Sequence, residues 1–131
     1  MSSDLPPGAT CFDASALVAT WDETRRVLLD AFAASQPAAQ AEASIVYIVH
    51  GDDLLGRRGA PSAMVGTGIL SAARTAAIEL SRKGAVVNVI AIDDETDPEI
   101  TRLWVSYLVD GDGPTGQVVQ LTKTHLGKAL P

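Results

Sequence analysis

His50 closes an apolar stretch, and five acids fall near it or near the end of a second apolar run: Asp52, Asp53, Asp93, Asp94 and Glu95. A histidine with several carboxylates can serve as a general base or, with the right ligand spacing, hold a metal. The position suits chemistry, because sites in α/β proteins lie beyond the carboxyl ends of strands. No metal-ligand spacing is present, however. Acids in such loops also serve simply as solvated groups and helix N-terminal charges, and that reading fits these five better. His125 belongs to a polar C-terminal stretch and is expected to face solvent. Gly66 and Gly68 each cost about 1 kcal/mol relative to Ala inside a helix, so close helix packing or space for a ligand should compensate. The small residues around them, Ala63, Ala72, Ala73, Ala76 and Ala77, favour packing.

The elements that would position these residues follow from periodicity. Residues 1–8, with Pro6-Pro7-Gly8, read as a loose arm. Ala9–Phe12 can form a short strand ending at Asp13. Leu17, Trp21, Thr24, Leu28 and Phe32 recur at helical spacing, widened by Val27 and Leu29, which predicts a helix over 15–34 ended by Pro37. Ser44–His50 is a continuous β-branched strand, and Gly51–Pro61 a loop. A helix from Pro61-Ser62 to Lys83 stops at Gly84, with Arg82 and Lys83 at its C-terminal end. Ala85–Ile92 is a second buried strand. A third helix opens at Asp97-Pro98-Glu99 and reaches Val109. Asp110–Pro114 is a loop and Gly116–Leu121 the last strand. This alternation predicts an α/β domain: a truncated three-layer, Rossmann-like unit with a parallel sheet of about four strands, right-handed crossovers and helices on both faces.

Composition bounds the function classes. The 131 residues make one domain, with 47% hydrophobic but only 5% aromatic residues, so the core is Ala, Val, Leu and Ile. A net charge of −6 argues against nucleic acid and anionic membrane as partners. Arg25-Arg26 and Arg57-Arg58 read as isolated doublets on solvated faces. The single cysteine, Cys11, excludes an intrachain disulfide and reads as a small buried strand residue. With no basic-then-apolar leader and no apolar run of membrane-spanning length, the expected location is cytoplasmic.

The segment from Ser62 to Ile92, taken with Thr115-Gly116-Gln117, resembles the central helix, next strand and last strand of the short-chain dehydrogenase/reductase family. Arg74, Glu79-Leu80 and Val87-Asn88 carry the resemblance, and Tyr107–Asp110 is similar to the closing helix. The likeness spans roughly residues 15–124, the C-terminal half of such an enzyme. It puts Ser62 where the family's catalytic tyrosine belongs and Gly66 at its lysine. The family's helical asparagine falls near Leu28, and its serine at or beside His50. The Pro-Gly after the sixth strand is replaced by Asp93-Asp94. The glycine-rich cofactor turn has no counterpart in residues 1–14, and only Phe12-Asp13-Ala14 stands near the place of the family's Asn-Asn-Ala-Gly.

The resemblance therefore implies an oxidoreductase-like chain without catalytic, cofactor-binding or metal-binding residues, binding no NAD or NADP. His50, Ser62 and Gly66 mark a relic site. In the family the helices corresponding to 15–34 and 62–83 pair into a four-helix bundle. That implies an oligomer interface at Leu28, Phe32, Ile69, Ala73 and Ala77, in a homo-oligomer or a heteromer with a full-length dehydrogenase. The leading expectation is a structural or regulatory subunit. The alternatives are a small-molecule binder or enzyme using the relic cleft near His50, and one half of a split NAD(P)-dependent oxidoreductase.

Overall fold

The computed structural model describes residues 5–123. Four strands, β1 (Thr10–Ala14), β2 (Ile45–His50), β3 (Val87–Ile92) and β4 (Val118–Gln120), form one sheet in the order β1-β2-β3-β4. Every neighbouring pair is parallel, with Thr10 opposite Ile45, Ile45 opposite Val87, and Val89 opposite Val118. Helices α1 (Trp21–Gln40), α2 (Gly51–Leu54), α3 (Ala60–Ser81) and α4 (Pro98–Leu108) connect them. The domain is thus α/β and Rossmann-like, with three layers and a four-stranded parallel sheet.

Strand periodicity divides the core. Ile45, Tyr47, Val49, Val87, Val89 and Ala91 face α1 and α3, where Ala31, Ala38, Val65, Ile69, Leu70, Ala73, Ala77 and Leu80 cover them. Val46, Ile48 and Ile90 face the other way, against Val105, Leu108 and Val109 at the end of α4. All six residues of β2 are buried, as expected for a strand with neighbours on both sides and helices on both faces.

Helix placement corrects one expectation. The strands are laid down in one direction, so crossovers of a single hand would put every helix on one face. α4 lies opposite α1 and α3, and the β3–α4–β4 crossover therefore has the opposite hand to the other two. Asn88, fully buried in β3, holds this return in place. Its amide nitrogen donates to the Leu108 carbonyl at 3.0 Å and the Pro114 carbonyl at 2.8 Å. Its oxygen accepts from the Gln117 N–H at 3.1 Å.

Element ends shift for local reasons. α1 starts at Trp21, not near residue 15, because Thr20 caps it: the Thr20 hydroxyl accepts from Glu23 N–H at 3.1 Å, and Glu23 Oε1 accepts from Ala19 N–H at 3.3 Å. Pro37 does not end the helix. It sits at an exposed position inside α1, where buried Ala38 and the Ser35–Tyr47 hydroxyl contact at 2.6 Å anchor the last turn. The supposed loop after β2 contains α2. Leu5, in the expected loose arm, packs against the α4-side core. α3 ends where Gly84 takes a positive φ of 80°, as its glycine stop predicts. His125 lies outside the described residues.

Candidate functional site

The carboxyl ends of β2 and β3 carry the acids and His50, as α/β geometry requires. The His50 ring is 5% exposed and both nitrogens are engaged. Nδ1 accepts from the Asp52 N–H at 3.1 Å, capping α2, and Nε2 lies 3.1 Å from Asp94 Oδ1. With Nδ1 accepting, the ring N–H is on Nε2 and donates to Asp94 Oδ1. A cavity of about 390 Å³ opens here, lined by His50, Asp52, Arg57, Asp93, Asp94, Glu95, Thr122 and Lys123. The backbone N–H of Lys123, at 2.6 Å, holds the Asp93 carboxylate below its usual pKa, helped by the Glu95 N–H and the Thr96 hydroxyl. Among the described residues no three His, Cys, Asp or Glu side chains are grouped to hold a metal ion.

Asp53 belongs to a different arrangement. Its carboxylate is fully buried and paired in two places with Arg58, Nε to Oδ1 at 3.0 Å and a terminal nitrogen to Oδ2 at 2.8 Å. The same Arg58 nitrogen donates to the Ser15 carbonyl at 2.9 Å. The Asp53 hydrogen bonds raise the Arg58 pKa further. Reading Arg57-Arg58 as a solvated doublet is therefore half right. Arg57 is 59% exposed, whereas Arg58 is an interior clamp between the end of β1 and α2. Asp53 is likewise an interior anion and not a solvated loop acid.

The relic positions do not form one cleft. Ser62 is fully buried, its hydroxyl accepting from the Val18 N–H at 3.4 Å. Gly66 lies against Asp53, and a β-carbon at Gly66 would sit 2.7 Å from the Asp53 Cβ. Gly66 is thus packed on Asp53, while Ser62 is buried against the chain at Val18. His50 lines the cavity with Asp93 and Asp94, and Ser62 and Gly66 do not line that cavity. Gly66 compensates for its helix cost through close packing, while nothing lies within 4 Å of a β-carbon on Gly68.

The expected interface positions also separate. Phe32 is 60% exposed on α1 and Leu28 is half-buried. Ile69, Ala73 and Ala77 are buried against the sheet of their own chain and are closed to a partner. The open face of α3 runs instead through Met64, Gly68, Ala72, Thr75 and Ile78. Trp21 and Leu29 continue the exposed apolar surface on α1. Sequence periodicity missed Asn88 and Arg58, since a polar residue inside an apolar strand and one arginine of a doublet carry no outward signal.

No family model matches this chain, and no curated protein sequence matches it. Among the described residues no helix is long and apolar enough to cross a membrane.

Proposed function

We propose that this chain is a non-catalytic, short-chain-dehydrogenase-like association module that pairs with a second copy of itself through the outer faces of α1 and α3. The carrying observation is the exposure of large apolar side chains on those two helices: Trp21, Leu29 and Phe32 on α1, Met64 and Ile78 on α3. Large apolar residues grouped at a surface mark sites of association. Gly68 lies within the α3 face with open space above it, which allows a partner helix to approach closely. Burial of Ser62 and the packing of Gly66 on Asp53 support the absence of dehydrogenase chemistry, since neither position offers a group to a substrate. Sedimentation of the purified chain tests the reading, with a full-length dehydrogenase from the same genome as the second candidate partner.

A second reading, half of a split oxidoreductase, draws support from β1. It pairs with β2 on one side, and among the described residues no strand lies on the other. Its five residues contain neither Lys nor Pro, the usual protections of an open edge. The small-molecule reading around His50 has a cavity in its favour, but both ring nitrogens already have partners.

A further inference from the structure

We infer that Asp110 is a site of spontaneous, position-specific modification, at which its peptide bond to Gly111 rearranges to the isoaspartyl form. The inference does not depend on the association proposed above. The return from α4 to β4 contains two aspartyl-glycine pairs in succession, Asp110-Gly111 and Asp112-Gly113, and both aspartates are exposed. A glycine after an aspartate has no side chain to obstruct its own amide nitrogen, which can attack the aspartate's carboxyl carbon. By residue type the two pairs are the same. The fold separates them.

The Gly113 N–H is occupied, donating to the Asp110 carbonyl at 2.9 Å. An amide that must give up its proton to become a nucleophile has first to release such a bond. Among the described residues the Gly111 N–H has no acceptor. The Asp110 side chain is also folded back toward it. Its Oδ1 accepts from the Asp112 N–H at 3.0 Å, and the ring closed by that bond contains both the Asp110 carboxyl carbon and the Gly111 nitrogen. The reactive neighbour is itself required by packing, since a β-carbon on Gly111 would lie 2.9 Å from the Gly84 carbonyl oxygen.

Attack by the Gly111 nitrogen forms a bond to the Asp110 carboxyl carbon, and a carboxyl oxygen leaves as water with the amide proton and the carboxyl proton. Water then opens the cyclic imide at the former main-chain carbonyl, breaking its bond to the Gly111 nitrogen. The main chain now runs through the Asp110 β-carbon, and the old carbonyl carbon is left as a free carboxylate. The water lost is regained, so the reaction needs no oxidant or cofactor and leaves the mass unchanged. The carbonyl that accepts the Gly113 N–H thereby leaves the main chain, and the loop between Leu108 and Pro114 lengthens by one carbon. Asn88 ties the carbonyls of those two residues together at 3.0 and 2.8 Å. The modified loop therefore works against the bonds that seat β4.

The experiment ages the purified chain at neutral pH, folded and in urea, and maps isoaspartate in each. Trypsin releases both pairs in a single peptide, 103–123, and electron-transfer fragmentation assigns each isoaspartyl residue at unchanged mass. In the folded chain isoaspartate should accumulate roughly fivefold faster at Asp110 than at Asp112, the factor that one protein hydrogen bond represents. In urea the two rates should become equal. Asp110→Glu, whose longer side chain disfavours ring closure, should lose the reaction at residue 110. On ageing it should also keep the hydrogen-exchange protection of β4, which the parent should lose as isoaspartate builds up. Equal rates in the folded chain, or no reaction at either site, would overturn the inference. So would a preference for Asp110 that persists in urea, because sequence and not the fold would then set it. Unchanged β4 protection in the modified parent would overturn the proposed effect on the return.

Discussion

Gly66 and Asp53 meet so closely that a β-carbon on residue 66 would lie 2.7 Å from the Asp53 Cβ and 3.4 Å from its carbonyl carbon. Asp53 cannot retreat, because its buried carboxylate is held at both oxygens by Arg58. Gly66→Ala should therefore destabilise the fold by about 1–3 kcal/mol, the range for overpacking a close contact. Gly68→Ala, two residues along and facing open space, should stabilise the monomer by up to about 1 kcal/mol through helix propensity. Urea denaturation of both variants at low protein concentration reads the two signs. Equal shifts would contradict the packing described.

Removing Arg58 leaves a carboxylate without its partner at a fully buried position. Arg58→Ala should cost about 3–5 kcal/mol, as for breaking one side of a buried ion pair. Arg57→Ala, at a pair 3.7 Å apart and largely exposed, should cost no more than about 1 kcal/mol. Thermal melts of the two variants side by side distinguish the clamp from the solvated neighbour.

Asn88→Leu should be similarly damaging despite its apolar surroundings. The substitution strands the buried carbonyl of Leu108, at about 1–3 kcal/mol for a buried group left unpaired, and also frees the partly buried Pro114 carbonyl and Gln117 N–H. The damage should concentrate in the return from α4 to β4. Hydrogen exchange should show early opening at 110–120, and uniform opening would contradict this role.

Cys11 should be a poor nucleophile. Burial first, and then the nearby Asp13 charge, push its thiol up to about 11. A raised pKa keeps the thiol protonated at neutral pH, so its reaction with a disulfide reagent should be slow at pH 8. The rate should rise with pH until the thiol ionises near that value, and unfolding should abolish the protection. Rapid labelling of the native chain at pH 7 would contradict the burial.

Much of the architecture was legible because β2 and β3 are continuous apolar runs and α3 ends at a glycine that needs positive φ. The inward face of α1 was legible only in part. Thr24 of the periodic stripe is buried and Val27 and Leu28 pack on the core, but Trp21 and Phe32 point outward, and the buried Ala31 and Ala38, small enough to let the helix lie close, carry no bulk for periodicity to follow. The start of α1 was available in the capping pattern Thr20-Trp-Asp-Glu23, where the apolar period suggested an earlier beginning. On α3 the family resemblance and the alanine-rich sequence pointed to a partner at Ile69, Ala73 and Ala77, although these residues cover their own sheet. The acids near His50 were visible as a group. Their division into an interior clamp at Asp53 and a cavity lining at Asp93 and Asp94 depends on which loop turns inward, and no local spacing encodes that.

The central claim is that the outer faces of α1 and α3 join two copies, and sedimentation equilibrium tests it most directly. Phe32→Glu and Ile78→Glu alter exposed side chains that the monomer core does not need. Ala73→Arg is not a useful probe, because that position is buried and the variant should simply unfold. The parent should sediment as a dimer, and each glutamate variant should sediment as a folded monomer with an unchanged circular dichroism spectrum. A parent that remains monomeric across the accessible concentration range, or glutamate variants that remain dimeric, would contradict the account.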